Sequence, residues 1–436
     1  MSDLARHVED FRQLVHASPS AFHAVAEVAR RLEAEGFARV TEGAVRGEAG
    51  QDAVVGRGFC VRDGAIIAWS RPEGAGPDAP LRIVGAHTDS PGFKLKPRPA
   101  FTNQGWLQAA VEVYGGPILP SWLDRELELA GRLVLRDGTE HLVRTGPWLR
   151  IPHLAIHLDR GVNEGLTLDK QRHTQPVLAT TAGVIGSPSG PDPVLSHLAA
   201  LAGVDVADVA GHDVVTVDSA APATFGLDGA LLASPRLDNL VSVHSGLLAL
   251  LADDGATGTS GEPAVRVLAA FDHEEVGSVS RSGADGSFLE DVVDMLTGFD
   301  AATRQRALAD SWLVSSDVGH AVHPNHAERH DPTHQPVAGG GPILKVNANQ
   351  RYTSDAHGAA LWSRACRAAG VAEQVFVSNN ALPCGSTIGP MASARLGVRT
   401  VDVGIPILSM HSAREMCHTA DLLALAAALT AFYSAT

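Results

Sequence analysis

The sequence predicts an α/β protein: a mostly parallel sheet covered by helices and interrupted by an inserted strand-rich domain. Three observations carry this. Short apolar runs bounded by Gly and Pro recur at residues 64–69, 81–85, 265–271, 312–315, 374–377 and 398–403, the pattern of buried strands. Long Ala/Leu-rich stretches of helical character lie between them, at 239–252 and 356–369 among others; strands alternating with helices imply a parallel sheet covered on both faces. Residues 92–227 break that rhythm and carry alternating apolar and polar runs instead.

Taken in order, the first 36 residues read as two helices. Leu4, Val8, Phe11, Leu14 and Val15 recur at three- and four-residue steps, which places them on one helical face. Ser18-Pro-Ser20 ends that helix and offers a cap to the next, whose apolar stripe is Phe22, Val25, Val28 and Leu32. Gly36 stands where a left-handed terminal residue is wanted. The short strand-like runs begin near Val54. In the middle, residues 131–143 form two alternating runs about Asp137-Gly138, a hairpin signal. Residues 106–114 alternate as well, and residues 187–193 read as a Ser/Gly/Pro linker. The expected division is 1–91 and 229–436 for the two parts of the α/β domain, with 92–228 inserted between them. A chain of 436 residues accommodates two or three domains.

Composition excludes several partner classes. Hydrophobic residues make up 45% and charged residues 19%, the balance of a folded chain rather than a disordered one. The 34 Lys and Arg against 49 Asp and Glu leave a formal charge of −15 with no basic block. That argues against nucleic acid or a membrane surface as partner. The longest apolar stretch, 422–432, falls short of the ~20 residues that span a bilayer, and the start of the chain lacks a signal-peptide pattern. Cys60, Cys366, Cys384 and Cys417 show no C-x-x-C spacing, so neither a disulfide framework nor a cysteine zinc site is expected. The expectation is a cytoplasmic globular protein, in which 20 His and 49 acidic residues leave metal or acid/base chemistry open.

Those residues fall where such chemistry needs them. His87-Thr-Asp89 follows the run 81–86, and Asp272-His-Glu274-Glu275 follows 265–271. Asp317 follows 312–316, and a short loop carrying His411 follows 398–404. In open parallel sheets ligands bind just beyond the carboxyl ends of the strands, so these distant residues converge on one crevice. His87, Asp238, Glu275, Asp317 and His411 supply two imidazoles and three carboxylates, enough for two divalent metal ions sharing one carboxylate. Such a pair activates a water and polarises a carbonyl. Mixed nitrogen and oxygen ligation suits Zn²⁺, with Co²⁺ or Mn²⁺ as alternatives. In the tandem Glu274-Glu275, one carboxylate can bind metal while its neighbour acts as general base. Asp89 is placed to orient His87.

Taken singly, each signal is commonplace. His-x-Asp at a strand end is usually a capped turn, Glu-Glu before Gly a solvated loop, and Asp238 a helix cap. Their joint occurrence at successive strand ends favours the metal site. His323, His326, His330 and His334 read as a solvated loop near the site mouth, and Cys384 and Cys417 as small buried side chains. Ser386 has no partners for a nucleophilic triad.

A set of stretches runs nearly end to end: Ser18-Pro-Ser-Ala-Phe-His23, Gly85-Ala-His-Thr-Asp-Ser-Pro-Gly92, Val111-Glu-Val-Tyr-Gly-Gly116, Arg150-Ile-Pro-His-Leu-Ala-Ile-His157 and Arg236-Leu-Asp-Asn-Leu240. It continues with Asp272-His-Glu-Glu-Val-Gly-Ser278, Ser316-Asp-Val-Gly-His-Ala-Val-His-Pro-Asn325, Lys345-Val-Asn-Ala-Asn-Gln-Arg-Tyr352 and Met410-His-Ser-Ala-Arg-Glu-Met416. Together they resemble the M18 family of metallo-aminopeptidases, the aspartyl aminopeptidases. The resemblance implies a metallopeptidase catalytic domain whose inserted part, 92–228, serves dimerisation and substrate gating. It implies that Asp238 bridges two metals, with His87 and Asp317 completing one site and Glu275 and His411 the other. Glu274 would be the general base on the bridging water, and Asp89 its supporting acid. His273 sits where relatives often carry Asn.

The resemblance further implies peptide substrates with an N-terminal Asp or Glu. Lys345 is the candidate cation for that side chain. His320 and Tyr352 would line the pocket, with His320 donating to the tetrahedral intermediate. One of His153 and His157, with His153 favoured, would reach a neighbouring active site in a homo-oligomer of twelve subunits built from dimers. The alternatives are a related metallo-aminopeptidase for neutral N-termini and a non-catalytic metal-binding assembly subunit. Glu274 argues against the second, because a structural site has no use for it.

Overall fold

A strand covered on both faces has no polar side to show, and Ala65–Ser70 is buried at every position. The computed structural model describes residues 2–42, 56–183, 191–252 and 263–434. Among these, Ala65–Ser70 belongs to a nine-stranded sheet. Its order is Ala38–Arg39, Arg57–Arg62, Ala65–Ser70, Val265–Phe271, Leu81–His87, Trp312–Ser316, Arg399–Gly404, Ile343–Val346 and Gln374–Val377. The four strands from Val265–Phe271 to Arg399–Gly404 are adjacent and parallel; antiparallel pairs lie to either side. The mostly parallel α/β reading holds.

The two-residue period of a strand sends alternate side chains into two cores. Leu268 and Ala270 pack on one face with residues of Asp3–Ala17, Leu237–Leu251, Ala356–Ala369 and Thr419–Ser434. Val265, Val267, Ala269 and Phe271 pack on the other with Phe288–Leu296 and Ile388–Leu396. Each buried Leu, Ile, Val or Phe contributes roughly 1.5–3 kcal/mol. The N-terminal helices form as their patterns require. Ser2 caps Asp3–Ala17, Ser20 caps Ala21–Ala34, and Gly36 takes the left-handed φ of 80° expected of it.

Residues 92–218 contribute a separate six-stranded sheet, antiparallel throughout, in the order Glu140–Arg144, Leu127–Leu135, Val209–Asp218, Gly92–Asn103, Trp106–Tyr114 and Val177–Thr180. Its own core includes Phe93, Trp122, Leu129 and Leu149. The Asp137-Gly138 hairpin forms, with Gly138 at φ 87°. The linker read at 187–193 needs correction at its end: Asp192 caps a helix that Pro193 opens, Pro193–Ala202. A proline at the first helical turn loses no hydrogen bond. Residues 187–190 lie outside the described residues. A charged seam joins the two sheets: Arg132 binds Asp63 and Asp213, and its guanidinium lies over the Phe22 ring.

A third sheet of short strands, Ala223–Phe225, Leu231–Ser234, Glu415–His418, Pro406–Leu408 and Gly319–His320, had no signal in the sequence. Strands of two to four residues are too short to show a period. Among the described residues, no helix is long and apolar enough to cross a membrane.

Candidate metal centre

Four adjacent parallel strands end at one level. His87 closes Leu81–His87 and pairs in register with Phe271. Glu274 and Glu275 follow the turn after Phe271, and Asp317 follows Trp312–Ser316. Beyond Arg399–Gly404 the chain runs through Pro406–Leu408 to His411. Gly404 is needed there, because any Cβ at that position would strike the Asp317 carbonyl. Asp238 enters from the first turn of Leu237–Leu251, where the Asp238–Asn239 peptide bond is cis. It is not the helix cap; Arg236 takes that position.

The Asp238 carboxylate has two faces. Its Oδ1 lies 3.1 Å from His87 Nε2, and its Oδ2 lies 3.4 Å from His411 Nε2. Asp317 Oδ1 stands 3.7 Å from His87 Nε2, and Glu275 Oε2 stands 3.4 Å from His411 Nε2. Two groups of side chains thus meet at Asp238: His87 with Asp317, and His411 with Glu275. Glu274 Oε2 sits 4.0 Å from His87 Nε2. One ligand atom each from His87, Asp238 and Glu275 lies within 4.8 Å of the others, a spacing that could hold an ion.

Asp89 holds this arrangement from behind. Its Oδ1 is 3.4 Å from His87 Nδ1 and accepts the Glu274 N–H at 3.1 Å. Its Oδ2 accepts the Glu275 N–H at 3.2 Å and the Tyr114 hydroxyl at 2.7 Å. With Nδ1 so engaged, which also faces the Asp89 carbonyl, Nε2 is left for the centre. His411 is fixed in the same way, with Nδ1 3.0 Å from the Gly116 carbonyl.

Tyr114 and Glu415 were missed as site residues, although both fall within motifs quoted above. Glu415 is fully enclosed and accepts two backbone N–H groups, of Asp238 at 3.0 Å and of His411 at 2.8 Å. Glu415 thereby ties the backbones that carry both faces of the centre together. His273, Arg236 and His411 hold left-handed φ values of 62°, 56° and 67°. Asn and His tolerate that region better than most side chains, which accounts for either at position 273.

Electrostatics show what the cradle lacks. The carboxylates of Asp89, Asp238, Glu274, Glu275 and Asp317 outnumber the cationic partners beside them, His87, His411 and the ammonium of Lys345, and Glu415 adds a further acid in the field of Arg236. Burial, with Asp317, Asp238 and Asp89 nearby, pushes Glu274 up to about 7. Burial and Asp238 raise Glu275 well above the ordinary carboxylate range, and raise Glu415 to about 8. Burial alone would lower His87, but the carboxylates of Asp238, Asp317 and Asp89 hold it well above its usual value. Glu275 Oε1 is buried without a hydrogen-bond partner. Buried acceptors in surplus over donors are unfavourable unless cations complete them. The residues therefore fit divalent metal.

Beside the centre opens a cavity of about 280 Å³ lined by His320, His323, Arg329, His330, Tyr352, Phe376 and Ser409, among others. His320 stands at an exposed strand end facing this crevice; the protein around it, the Lys345 ammonium and His330 lower its imidazole. Lys345 lies apart from the cavity wall, 1% exposed, with Nζ 3.4 Å from Asp317 Oδ2 and 5.4 Å from the centroid of the Tyr352 ring. The His-rich segment lines this cavity in part, through His323 and His330. Cys384 is half-buried rather than buried, and its sulfur accepts from the Ser378 hydroxyl at 3.0 Å. His153 and His157 lie on an exposed stretch and take no part in the cluster within one chain; the His153 N–H donates to Asp124 Oδ1.

The chain's similarity to known proteins fits this geometry. Residues 14–433 match the family described as aminopeptidase I zinc metalloprotease (M18). The chain belongs to the M18 family. Membership makes it an aminopeptidase, a hydrolase of the zinc metalloprotease class. It is 52% identical over 431 residues to a protein of Streptomyces avermitilis named probable M18 family aminopeptidase 2, covering 98% of this chain and 97% of that one. The cryo-EM structure of the Ape4 and Nbr1 complex superposes with a TM-score of 0.92 at 34% identity, over 99% of this chain and 86% of that one. The S. cerevisiae mApe1 dodecamer gives 0.82 at 26% identity, over 98% and 95%.

Proposed function

We propose that this M18 chain is a dinuclear-metal aminopeptidase that removes acidic residues, Asp or Glu, from peptide N-termini. The observation that carries the acidic preference is the cavity beside the centre. In a chain of net charge −15, its described wall holds one Arg, three His and no carboxylate. A pocket of one electrostatic sign, set against the acid-rich cluster, selects an anionic side chain. The two-faced Asp238 supports a pair of ions: His87 and Asp317 would hold one, Glu275 and His411 the other, and Zn²⁺ suits the donors.

Bound there, two such ions supply Lewis-acid activation of the scissile carbonyl and of the attacking water. Glu274 is the general base: it takes the proton of that water at its carboxylate and delivers it to the leaving amine. Asp89 keeps both glutamates and His87 in register. His320, neutral, donates to the oxyanion that forms, and Tyr352 closes the floor of the pocket. The ammonium of Lys345 supports the anionic side chain from beneath Tyr352.

Residues 92–228 would serve as the dimerisation and substrate-gating domain, within a twelve-subunit assembly like that of the mApe1 relative. Leu154, Ile156 and Leu158 are 55%, 50% and 75% exposed beside His153 and His157, an apolar strip that a neighbouring subunit would cover. One of those two histidines, His153 in the favoured reading, would reach the partner's site. The four cysteines are free, which suits the cytoplasm.

Initial rates on aspartyl, glutamyl and leucyl amides test the reading. Metal-loaded protein should cleave the acidic amides at least about ten-fold faster in kcat/KM than leucyl amide, and chelated protein should cleave none. Leucyl cleavage in the lead would discard the acidic preference and favour the neutral alternative. Metal uptake without cleavage of any amide would favour the non-catalytic one.

A further inference from the structure

We infer, resting on the metal pair proposed above and not on the acidic preference, that Tyr114 is a positioning residue through which the inserted domain sets the metal affinity of the centre.

His87, Asp238, Glu275, Asp317 and His411 all stand outside residues 92–228. The inserted chain nevertheless meets the centre where its strand Trp106–Tyr114 ends. There the Tyr114 hydroxyl donates to Asp89 Oδ2 at 2.7 Å; a phenol, which ionises only near pH 10, is a donor at neutral pH. The carboxylate it meets supports three residues of the centre at once. Asp89 Oδ1 lies 3.4 Å from His87 Nδ1 and accepts the Glu274 N–H, and Oδ2 accepts the Glu275 N–H. Among the described residues, Tyr114 is the hydrogen-bond partner that this carboxylate takes from the inserted domain. Asp89 is buried, so a bond lost there is not made good by bulk water.

The residues that follow carry the contact to the other face of the centre. Gly115 holds a left-handed φ of 67°, and a Cβ there would stand 3.2 Å from Glu275 Cβ and 3.3 Å from the Glu275 carbonyl oxygen. The Gly116 carbonyl lies 3.0 Å from His411 Nδ1. The Ile118 N–H donates to the His411 carbonyl at 2.9 Å, and Ser121 Oγ accepts the Ala413 N–H at 2.9 Å. Residues 114–121 of the inserted domain thus touch the supports of both ligand groups. An imidazole or carboxylate held from behind presents its free atom at a set angle, and such holding raises metal affinity. Of these links, the Tyr114 hydroxyl is the side-chain bond to Asp89, and Tyr114→Phe removes it while keeping the ring and the backbone.

The experiment challenges Zn²⁺-loaded wild type, Tyr114→Phe and Leu133→Val with graded chelator and measures the metal retained per chain. The visible absorption of the same proteins loaded with Co²⁺ reports the ligand geometry. Leu133 is buried in the core of the inserted sheet, so trimming it lowers stability without touching Asp89. Tyr114→Phe should weaken Zn²⁺ binding about ten-fold and shift the Co²⁺ band. Leu133→Val should lower the melting temperature and leave affinity and band as in the wild type. Placed on an Asp89→Asn background, Tyr114→Phe should add less than about two-fold, because residues acting along one route are not additive. Unchanged Zn²⁺ affinity and Co²⁺ band in Tyr114→Phe, or an equal loss in Leu133→Val, overturns the positioning role. An undiminished effect on the Asp89→Asn background overturns the route through Asp89. A wild type that takes up no Zn²⁺ overturns the metal centre itself.

Discussion

Asp238→Asn should abolish the paired metal site and, with it, more than about 10³-fold of kcat/KM. The substitution keeps the volume of the side chain and the N–H bond to Glu415, yet it replaces a two-faced anion with a neutral amide that has one acceptor. Both ligand groups share that carboxylate, so neither is complete without it. Losing even a supporting partner of a ligand typically costs 10–100-fold in affinity, and losing a shared ligand costs more. The sign of the stability change is informative. Metal-free protein should lose stability as Asp238→Asn, because the His411 and His87 imidazoles hold the Asp238 carboxylate below its ordinary range, and the amide gives up both pairings. Wild type should gain thermal stability on adding Zn²⁺ by mass action, and the variant should gain little. Metal analysis beside thermal melts checks both. A variant that keeps two ions per chain rules out the bridging role.

Glu274→Gln should separate binding from chemistry. Glu274 approaches His87 Nε2 at 4.0 Å, farther than Asp238 or Asp317, and so stands at the edge of the cluster, where a general base belongs. The amide keeps shape and backbone bonds to Asp89 but cannot take a proton. We expect both metals retained, KM little changed and kcat down about 10²–10⁴-fold. Wild-type kcat with both metals bound would remove Glu274 from the reaction.

Much of this was legible in the sequence because the signals were local. An apolar run that ends at or within a few residues of His87, Glu274 or Asp317 states both a strand and what its end presents, and parallel order brings the ends together. Asp89, two residues beyond His87, was readable as its support for the same reason. Tyr114 and Glu415 were not, because their roles depend on what lies opposite them. A tyrosine closing an alternating strand looks like any strand residue until its hydroxyl is found on Asp89. Glu415 lies in a four-residue strand with no pattern of its own. Lys345 was singled out for its charge. That Asp317 would take up its ammonium could not be seen without the fold.

The central claim is a pair of metal ions sharing Asp238. Its most direct test is to titrate metal-free protein with Zn²⁺ while following activity, and to locate bound ions by anomalous diffraction at the end point. The account predicts saturation at two equivalents per chain, with ions about 3.5–4 Å apart on either side of the Asp238 carboxylate. Full activity at one equivalent, or two ions of which only one touches Asp238, would contradict it.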